Sequence, residues 1–268
     1  MKVRAALWLC SLAVTGCTGE TRVSFFESTD GVLTDAASSD APVDAAASVL
    51  LHRYDFEGMG TTLVDRAGSA DGRINGGAAL DGSGSLELDG QDDFVDLPNG
   101  LISSLRSGTL VVWVTWYGGN CWHRIFDFGS TAEGEGIAGE GTSNLFVTPL
   151  DCPGPGANAT IGNRFSGGGT EVSIRGPIPF TVGEQHQVAV VVDGNARVMR
   201  LYVDAQSHGE VAFRVGFEGV RDENDWLGRS QFAQDFFFPG RYDEFRIYSA
   251  ALSASEITRL YHQSPDAL

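Results

Sequence analysis

A carboxylate in the strand-like stretch GRYDEFRIY, near the C-terminus, is the first side chain whose position suggests chemistry. Strict alternation places Asp243 on the same side as Phe245 and Ile247, which we expect to face the core. A carboxylate that is buried without a partner is costly. The pattern therefore predicts a partner opposite Asp243, and an arginine such as Arg53 or Arg246, or backbone N–H groups, could supply it.

Three aromatic side chains fall close together at and beyond the end of an apolar strand, in the stretch WYGGNCW. Trp116, Tyr117 and Trp122 lie toward a loop that would be stapled if Cys121 bonded to Cys152. Aromatic rings can cover the apolar faces of sugars, and functional residues concentrate on loops held by a rigid scaffold. These three side chains are therefore candidates for ligand binding. The alternative is that they pack on the disulfide.

The cysteines predict one disulfide. Of the four cysteines, two lie in or directly after an N-terminal leader, which leaves Cys121 and Cys152. Neither has a neighbouring Cys or His at the spacing of a zinc site. A bond between them is the prediction for a chain exported to an oxidising compartment, and two free buried thiols are the alternative.

The leader has the features of an export signal. A cationic start, MKVR, precedes the apolar run AALWLCSLAV, which is too short to cross a bilayer. The next residues, VTGC, resemble the lipobox of bacterial lipoproteins, in which the chain is cut before the cysteine. The resemblance implies a signal peptide over residues 1–16 and a lipid anchor on Cys17, with an ordinary secretory signal as the alternative. Thr18, where an aspartate would retain a lipoprotein in the inner membrane, favours the outer membrane of the cell envelope.

Residues 17–48 predict a disordered, acidic tether. The segment is rich in Ser, Thr, Asp, Ala and Pro and has few of the large apolar side chains that a core requires. The formal net charge of the whole chain is −17, and Lys2 is its only lysine. Because no run of basic residues offsets this charge, the composition argues against a nucleic-acid partner.

From residue 49 onward, short strands alternate with turns. Segments such as SLELDG, TLVVWVTW, HQVAVVVD and RLYVDA are separated by Gly, Asp, Asn and Pro. One helix is predicted near the end, where Ser253 and Glu256 have the spacing of a capping box before an apolar face. The pattern predicts an all-β fold, an antiparallel two-sheet jelly-roll sandwich with a short C-terminal helix.

The order of the motifs resembles a known family, the LamG-like domains of the concanavalin A-like lectin/glucanase superfamily. The resemblance covers residues 49–264 and implies a jelly roll whose first and last strands are adjacent. The motifs that carry it, in chain order, are YDFEG, LVDRAG, LELDGQDDFVDLP, TLVVWVTW, RIFDFG, VAVVVD, LYVDA, WLGRS and GRYDEFRIYSAALSASEI.

The same resemblance implies calcium as a structural cofactor. In many members the ion joins the terminal strands through an aspartate of the closing strand, an acidic or carbonyl oxygen near the start, and a carbonyl after a Gly–Asp turn. These positions correspond here to Asp243, Asp55 and the carbonyl of Gly90. Carboxylate and carbonyl oxygens are the ligands that calcium prefers. Pairing of Asp243 with an arginine remains the alternative.

Catalysis is not expected. Glycosidases of the superfamily carry the motif E-x-D-x-x-E, which is missing here. Retaining hydrolysis needs two carboxyl groups about 5 Å apart, and the acidic stretches of this chain are Gly-rich or turn-like. Two functions stay open: a non-catalytic surface lipoprotein that binds glycans or a protein partner, and a structural envelope lipoprotein with no ligand beyond calcium.

Overall fold

A computed structural model describes residues 48–152, 154, 156–164, 169–263 and 265. The predicted signal peptide, the lipidation site Cys17 and nearly all of the predicted tether lie outside the described residues. Within the described residues, no helix has the length and apolar character needed to cross a membrane.

Strands dominate the described part of the chain, which ends in one α-helix. The elements in chain order are β1 (Leu50–Tyr54), β2 (Met59–Gly60), β3 (Thr62–Leu63), β4 (Gly72–Asn75), β5 (Leu80–Asp81), β6 (Leu86–Asp89), β7 (Phe94–Leu97), β8 (Gly108–Trp116), β9 (Phe126–Thr131), β10 (Gly141–Thr148), β11 (Asn158–Asn163), β12 (Val172–Arg175), β13 (Gln185–Asp193), β14 (Val198–Val203), β15 (Gln206–Ala212), a 3₁₀ turn (Phe217–Gly219), β16 (Asn224–Leu227), β17 (Pro239–Tyr248) and α1 (Ala254–Gln263).

The strands form two antiparallel sheets that pack face to face, with β2 and β5 as a separate pair. The seven-stranded sheet has the order β1-β17-β8-β13-β14-β15, and β6 also pairs with β17. The eight-stranded sheet has the order β12-β11-β10-β9-β16-β7-β4-β3. The predicted two-sheet jelly roll is confirmed. The first and last strands are adjacent, with Tyr54 opposite Phe245, as the family resemblance implied.

The central strand β8 is buried on both faces. Val112 belongs to the core between the sheets, whereas Val111 and Trp113 face the other way, into a second apolar cluster. Ile257 and Leu260 of α1 complete that second cluster. The helix therefore covers the outer face of the seven-stranded sheet.

The predicted capping box starts the helix. The Ser253 backbone N–H donates to Glu256 Oε2 at 2.7 Å, and the Glu256 backbone N–H donates to Ser253 Oγ at 3.3 Å. Each side chain thus satisfies a backbone donor that the first turn of a helix leaves free.

The predicted alternation of β17 is wrong at Asp243. The pairing with β8 shifts between Tyr242 and Glu244, which makes Asp243 the extra residue of a β-bulge. Tyr242 and Phe245 both reach the core between the sheets. Asp243 is displaced from that core, and its Oδ1 lies 3.2 Å from Arg241 Nε.

Glu244 is the buried carboxylate that ties the first strand to the last. Its Oε1 lies 2.6 Å from the Nε atoms of both Arg53, on β1, and Arg246. Burial raises the pKa of Glu244, and the two guanidinium groups oppose this shift. The two arginines that the sequence offered as partners of Asp243 therefore bind Glu244 instead.

Candidate functional site

A cleft of about 340 Å³ lies on the outer face of the eight-stranded sheet. Along β10 and β11, Leu145 and Ile161 point into the core, so Phe146 and Thr160 point outward. The volume is within the range of small-molecule sites. The lining residues are Trp122, Arg124, Phe146, Asn158, Thr160, Arg164, Glu171, Ser173, Arg175, Phe232, Gln234 and Asp235.

Trp122 forms one wall of the cleft and is held by the disulfide. Cys121 and Cys152 are bonded, as the sequence predicted, with their Cα atoms 5.8 Å apart. The backbone N–H of Trp122 donates to the Leu150 carbonyl at 3.1 Å. The backbone φ of Trp122 is +69°, a conformation that few non-glycine residues adopt. Its half-buried ring stands edge-on to Phe146 at a centroid distance of 6.5 Å.

A buried arginine braces the same wall. The Arg124 guanidinium lies 3.9 Å from the centre of the Phe146 ring and donates from Nη1 to the Trp122 carbonyl at 3.0 Å. It also donates from Nε to Asp127 Oδ2 at 3.2 Å and from Nη2 to Asp235 Oδ2 at 2.7 Å. Because a planar guanidinium that is both stacked and paired has little freedom, this wall of the cleft is held in one arrangement.

The floor of the cleft is polar. Thr160 Oγ1 donates to Asn158 Oδ1 at 2.8 Å and lies 2.8 Å from Ser173 Oγ. At this end Arg175 pairs with the buried Asp151 at 2.5 Å, while 63% of the Arg175 side chain stays exposed. The floor therefore offers amide, hydroxyl and guanidinium groups side by side.

The other end of the cleft has a second arginine–carboxylate pair. Arg164 Nε lies 3.9 Å from Glu171 Oε2, and the Arg164 guanidinium lies 5.0 Å from the centre of the Phe232 ring. Glu171 Oε1 accepts a hydrogen bond from Asn144 Nδ2 at 2.8 Å. The buried Asn144 Oδ1 has no hydrogen-bond partner among the described residues.

Asp127, below the cleft, has a pKa suited to acid–base chemistry but no access to a ligand. Burial raises its pKa to about 7, and the positive charge of Arg124 opposes the shift. Its Oδ2 accepts from the Gln231 backbone N–H at 3.0 Å, whereas Oδ1 has no partner among the described residues. Asp127 has no exposed surface and is not part of the cleft lining, so it cannot exchange a proton with a molecule in the cleft.

The structure separates the three aromatic candidates. Trp122 lines the cleft, but the prediction that Trp116 contributes to a binding surface is wrong. Trp116 still pairs with Gly240 at the end of β8, so the strand alternation carries its ring into the core, where 4% of it is exposed. Tyr117 is 47% exposed, but its hydroxyl bonds to Glu87 and it lies outside the cleft lining.

The three predicted calcium ligands do not meet. Asp55 directly follows β1, beside the bulge at Asp243, and its Oδ2 lies 3.0 Å from Arg66 Nε. Gly90 packs on Pro239, four residues along β17 from Asp243, which is about 13 Å at about 3.3 Å per residue. Calcium binds its ligands at about 2.3–2.6 Å, so one ion cannot join all three. Calcium binding itself stays a prediction.

Gly90 lies instead in a turn with three carboxylates. Oxygens of Asp89, Asp92 and Asp93 lie within 4.8 Å of one another, the closest such acidic group among the described residues. Asp93 Oδ1 accepts from the N–H groups of Gly77 and Ala78 at 2.6 and 2.8 Å, and its Oδ2 accepts from the Asp89 N–H at 3.1 Å. These bonds account for Asp93 as a residue that stabilises two turns.

Several cleft residues were missed by the sequence reasoning. The stretch NATIGN alternates polar and apolar residues, and this pattern could have placed Asn158 and Thr160 on an outer face. Nothing in the sequence indicates that Arg124, Arg164 and Arg175 line one cleft, because only the register of β9 to β12 brings them together.

Comparison with solved structures supports the fold. Domain 4 of an extracellular GH43 arabinanase from Geobacillus stearothermophilus, solved with arabinotriose, has a TM-score of 0.64 at 19% identity, over 79% of this chain and 98% of that chain. Trypanosoma rangeli sialidase, solved with sialic acid, has a TM-score of 0.59 at 15% identity, over 79% of this chain and 32% of that chain. The binding domain of botulinum neurotoxin DC, solved with rat synaptotagmin II, has a TM-score of 0.57 at 10% identity, over 80% and 51%. This chain thus spans only part of the latter two, and at such identities the likeness shows the fold.

Sequence comparison defines the family. Among curated proteins, none matches this sequence. The model of the laminin G family described as concanavalin A-like lectin/glucanases matches residues 89–258, which is more than half of the chain. The chain therefore belongs to the concanavalin A-like lectin/glucanases superfamily.

Proposed function

We propose that this protein is a non-catalytic recognition module that binds a glycan in the cleft on the eight-stranded sheet. The observation that carries the proposal is the position of Trp122, a half-buried ring held by the disulfide and by Arg124 beside a polar floor. A sugar presents an apolar C–H face and a rim of hydroxyl groups. An aromatic wall next to amide and hydroxyl side chains complements both.

The carboxyl groups of the cleft support a binding role over a catalytic one. Asp235 and Glu171, which line the cleft, pair with Arg124 and Arg164. Asp127, the carboxyl group whose pKa lies near neutrality, has no exposed surface. Glycoside hydrolysis requires two carboxyl groups that both reach the scissile bond, and this arrangement does not provide such a pair.

We also propose that the protein is a lipoprotein of the cell envelope, displayed on the outer membrane. Its support is the VTGC motif and the acidic segment that separates Cys17 from β1. A flexible tether would let the cleft reach glycans at some distance from the membrane. Binding experiments on the exported chain would identify the glycan, or a protein partner in its place.

The Cys17→Ser variant should lose the lipid anchor, because serine has no thiol to carry the lipid. Cells fed with labelled palmitate should label the parent protein and leave the variant unlabelled. Cys10→Ser, within the apolar run, is the matched control and should label like the parent. Equal labelling of the Cys17→Ser variant would contradict the anchor.

The Trp122→Ala variant should weaken glycan binding by about tenfold or more, because burying an aromatic side chain against a ligand contributes about 1.5–3 kcal/mol. Glycan-array screening would supply the ligand, and calorimetry the affinities. Tyr117→Ala removes an exposed aromatic ring outside the cleft and should bind like the parent. If the two variants bind the ligand equally well, the cleft is not the glycan site.

A further inference from the structure

The charges of the cleft are already paired. Three arginines line it, and each of them lies beside a carboxylate of the described chain. The pairs are Arg124 with Asp235 at 2.7 Å, Arg164 with Glu171 at 3.9 Å, and Arg175 with Asp151 at 2.5 Å. An anionic ligand would therefore have to compete with a protein carboxylate at each guanidinium.

The rest of the molecule also disfavours an anion. The formal net charge of the chain is −17, which creates a negative potential around the protein. This potential slows the approach of sulfated or carboxylated sugars and raises the cost of binding them. A neutral sugar meets no such penalty, and its hydroxyl groups can both donate to carboxylates and accept from guanidinium N–H groups.

The cleft is elongated along β11. Asn158, at the start of that strand, pairs with Arg175, and Arg164 directly follows the end of the strand. The six steps from position 158 to position 164 span about 20 Å at about 3.3 Å per residue. The Trp122 wall lies at the Asn158 end, because Trp122 bonds to Leu150, just after the residue of β10 that pairs with Asn158.

An aromatic ring and an arginine–carboxylate pair thus mark both ends of this groove. Trp122 and the Arg175–Asp151 pair mark one end, and Phe232 with Arg164 marks the other. Thr160 lies on the floor between them. The two rings are closer together than the strand ends, because the Arg124 guanidinium lies 5.5 Å from the centre of the Trp122 ring and 5.9 Å from that of the Phe232 ring, so the ring centres are at most about 11 Å apart. The two arginine–carboxylate pairs extend the groove at either end, which suits linked sugars better than a single ring.

We propose that the cleft binds a short neutral oligosaccharide that lies along β11, with one sugar against Trp122. The inference rests on the glycan-binding function proposed above. Arg175 and Arg164 donate to sugar hydroxyls from N–H groups that their carboxylate partners leave free, and Asn158 and Thr160 contact the sugars between them.

Calorimetry on the full chain tests this ligand class. The neutral probes are the tetrasaccharides of arabinose, xylose, glucose and mannose with their monosaccharides, and the anionic probes are tetragalacturonate and a heparin tetrasaccharide. We expect at least one neutral tetrasaccharide to bind, at least tenfold more tightly than its monosaccharide and equally well at low and high salt.

Tighter binding of an anionic probe, lost in the Trp122→Ala variant, overturns the neutral class while the glycan site stands. Equal affinity for monosaccharide and tetrasaccharide overturns the elongated site. No binding by any probe overturns both the inference and the proposed function.

A charge variant tests the paired-charge argument directly. Glu171→Gln keeps an amide oxygen to accept from Asn144 but removes the negative charge beside Arg164. We expect it to raise the affinity for tetragalacturonate several-fold relative to the affinity for the neutral tetrasaccharide. Glu210→Gln, an exposed carboxylate paired with Arg200 outside the cleft, should change neither affinity. Unchanged tetragalacturonate binding in Glu171→Gln would show that the carboxylates do not set the ligand class.

Discussion

Replacing Glu244 with alanine should lower the free energy of unfolding by about 3–5 kcal/mol, the usual cost of removing one partner of a buried ion pair. The side chain of Glu244 is 1% exposed, and it joins Arg53 of the first strand to Arg246 of the last. In the variant both guanidinium groups would lose this carboxylate while remaining in the same protein environment. Urea unfolding of parent and variant measures the difference.

Asp243→Ala is the matched control, one residue away in the same strand. Its partner Arg241 has a side chain that is 37% exposed, so losing the pair should cost at most about 1 kcal/mol. Equal destabilisation by the two variants would contradict the assignment of Glu244 as the residue that ties the terminal strands together.

The same two proteins test the calcium prediction. An ion bound by Asp55 and Asp243 would stabilise the native state, so EDTA would lower the melting temperature of the parent and not that of Asp243→Ala. The contacts of these carboxylates with Arg66 and Arg241 instead lead us to expect no effect of EDTA on either protein. If EDTA lowered the melting temperature of the parent alone, calcium binding by Asp55 and Asp243 would be supported.

Removing the disulfide should have the second large effect. The bond joins residues separated by 31 positions, and closing a loop of that size stabilises a protein by about 3–4 kcal/mol in the chain-entropy model. The Cys121→Ser, Cys152→Ser double variant should therefore unfold at lower urea. It should also bind glycan more weakly, because the backbone of Trp122, at a φ of +69°, would lose its covalent restraint.

A reducing agent provides the control for this prediction. Dithiothreitol should destabilise the parent to about the level of the double variant and leave the double variant unchanged. A parent that unfolds at the same urea concentration with and without dithiothreitol would contradict the disulfide.

The sequence predicted well those elements whose local residue pattern matches their surroundings in the folded protein. The segment TLVVWVTW was predicted to be a strand, and it forms β8, whose neighbouring Val111 and Val112 enter two different apolar clusters. The helix followed from the spacing of Ser253 and Glu256. Each of these signals lies within a few residues of the structure that it determines.

Two errors concern which face of a strand a side chain occupies. The stretch GRYDEFRIY has no local sequence signal for a bulge. The bulge nevertheless interrupts the alternation of the strand at Asp243, and Glu244 is the carboxylate that is buried and paired with Arg53. Trp116 was a binding candidate because it lies at the loop end of its strand, but it pairs with Gly240 as the last residue of β8 and its ring lies in the core between the sheets.

The cleft was only partly predictable, because its residues come from distant parts of the chain. The aromatic loop around Trp122 and its disulfide were visible in the sequence. Thr160, Glu171 and Phe232 come together only through the pairing of β10, β11 and β12 and the loop that follows β16. Single-sequence reasoning does not determine such long-range register.

The proposed function requires that a glycan contacts Trp122 in this cleft. The direct measurement is a two-dimensional NMR titration of the indole N–H signals of the full chain with the neutral tetrasaccharide that binds most tightly. We expect a saturable shift of the Trp122 signal, and an unchanged signal from Trp113, which is buried in the apolar cluster under α1. A tetrasaccharide that binds while the Trp122 signal stays unchanged would contradict the proposed site.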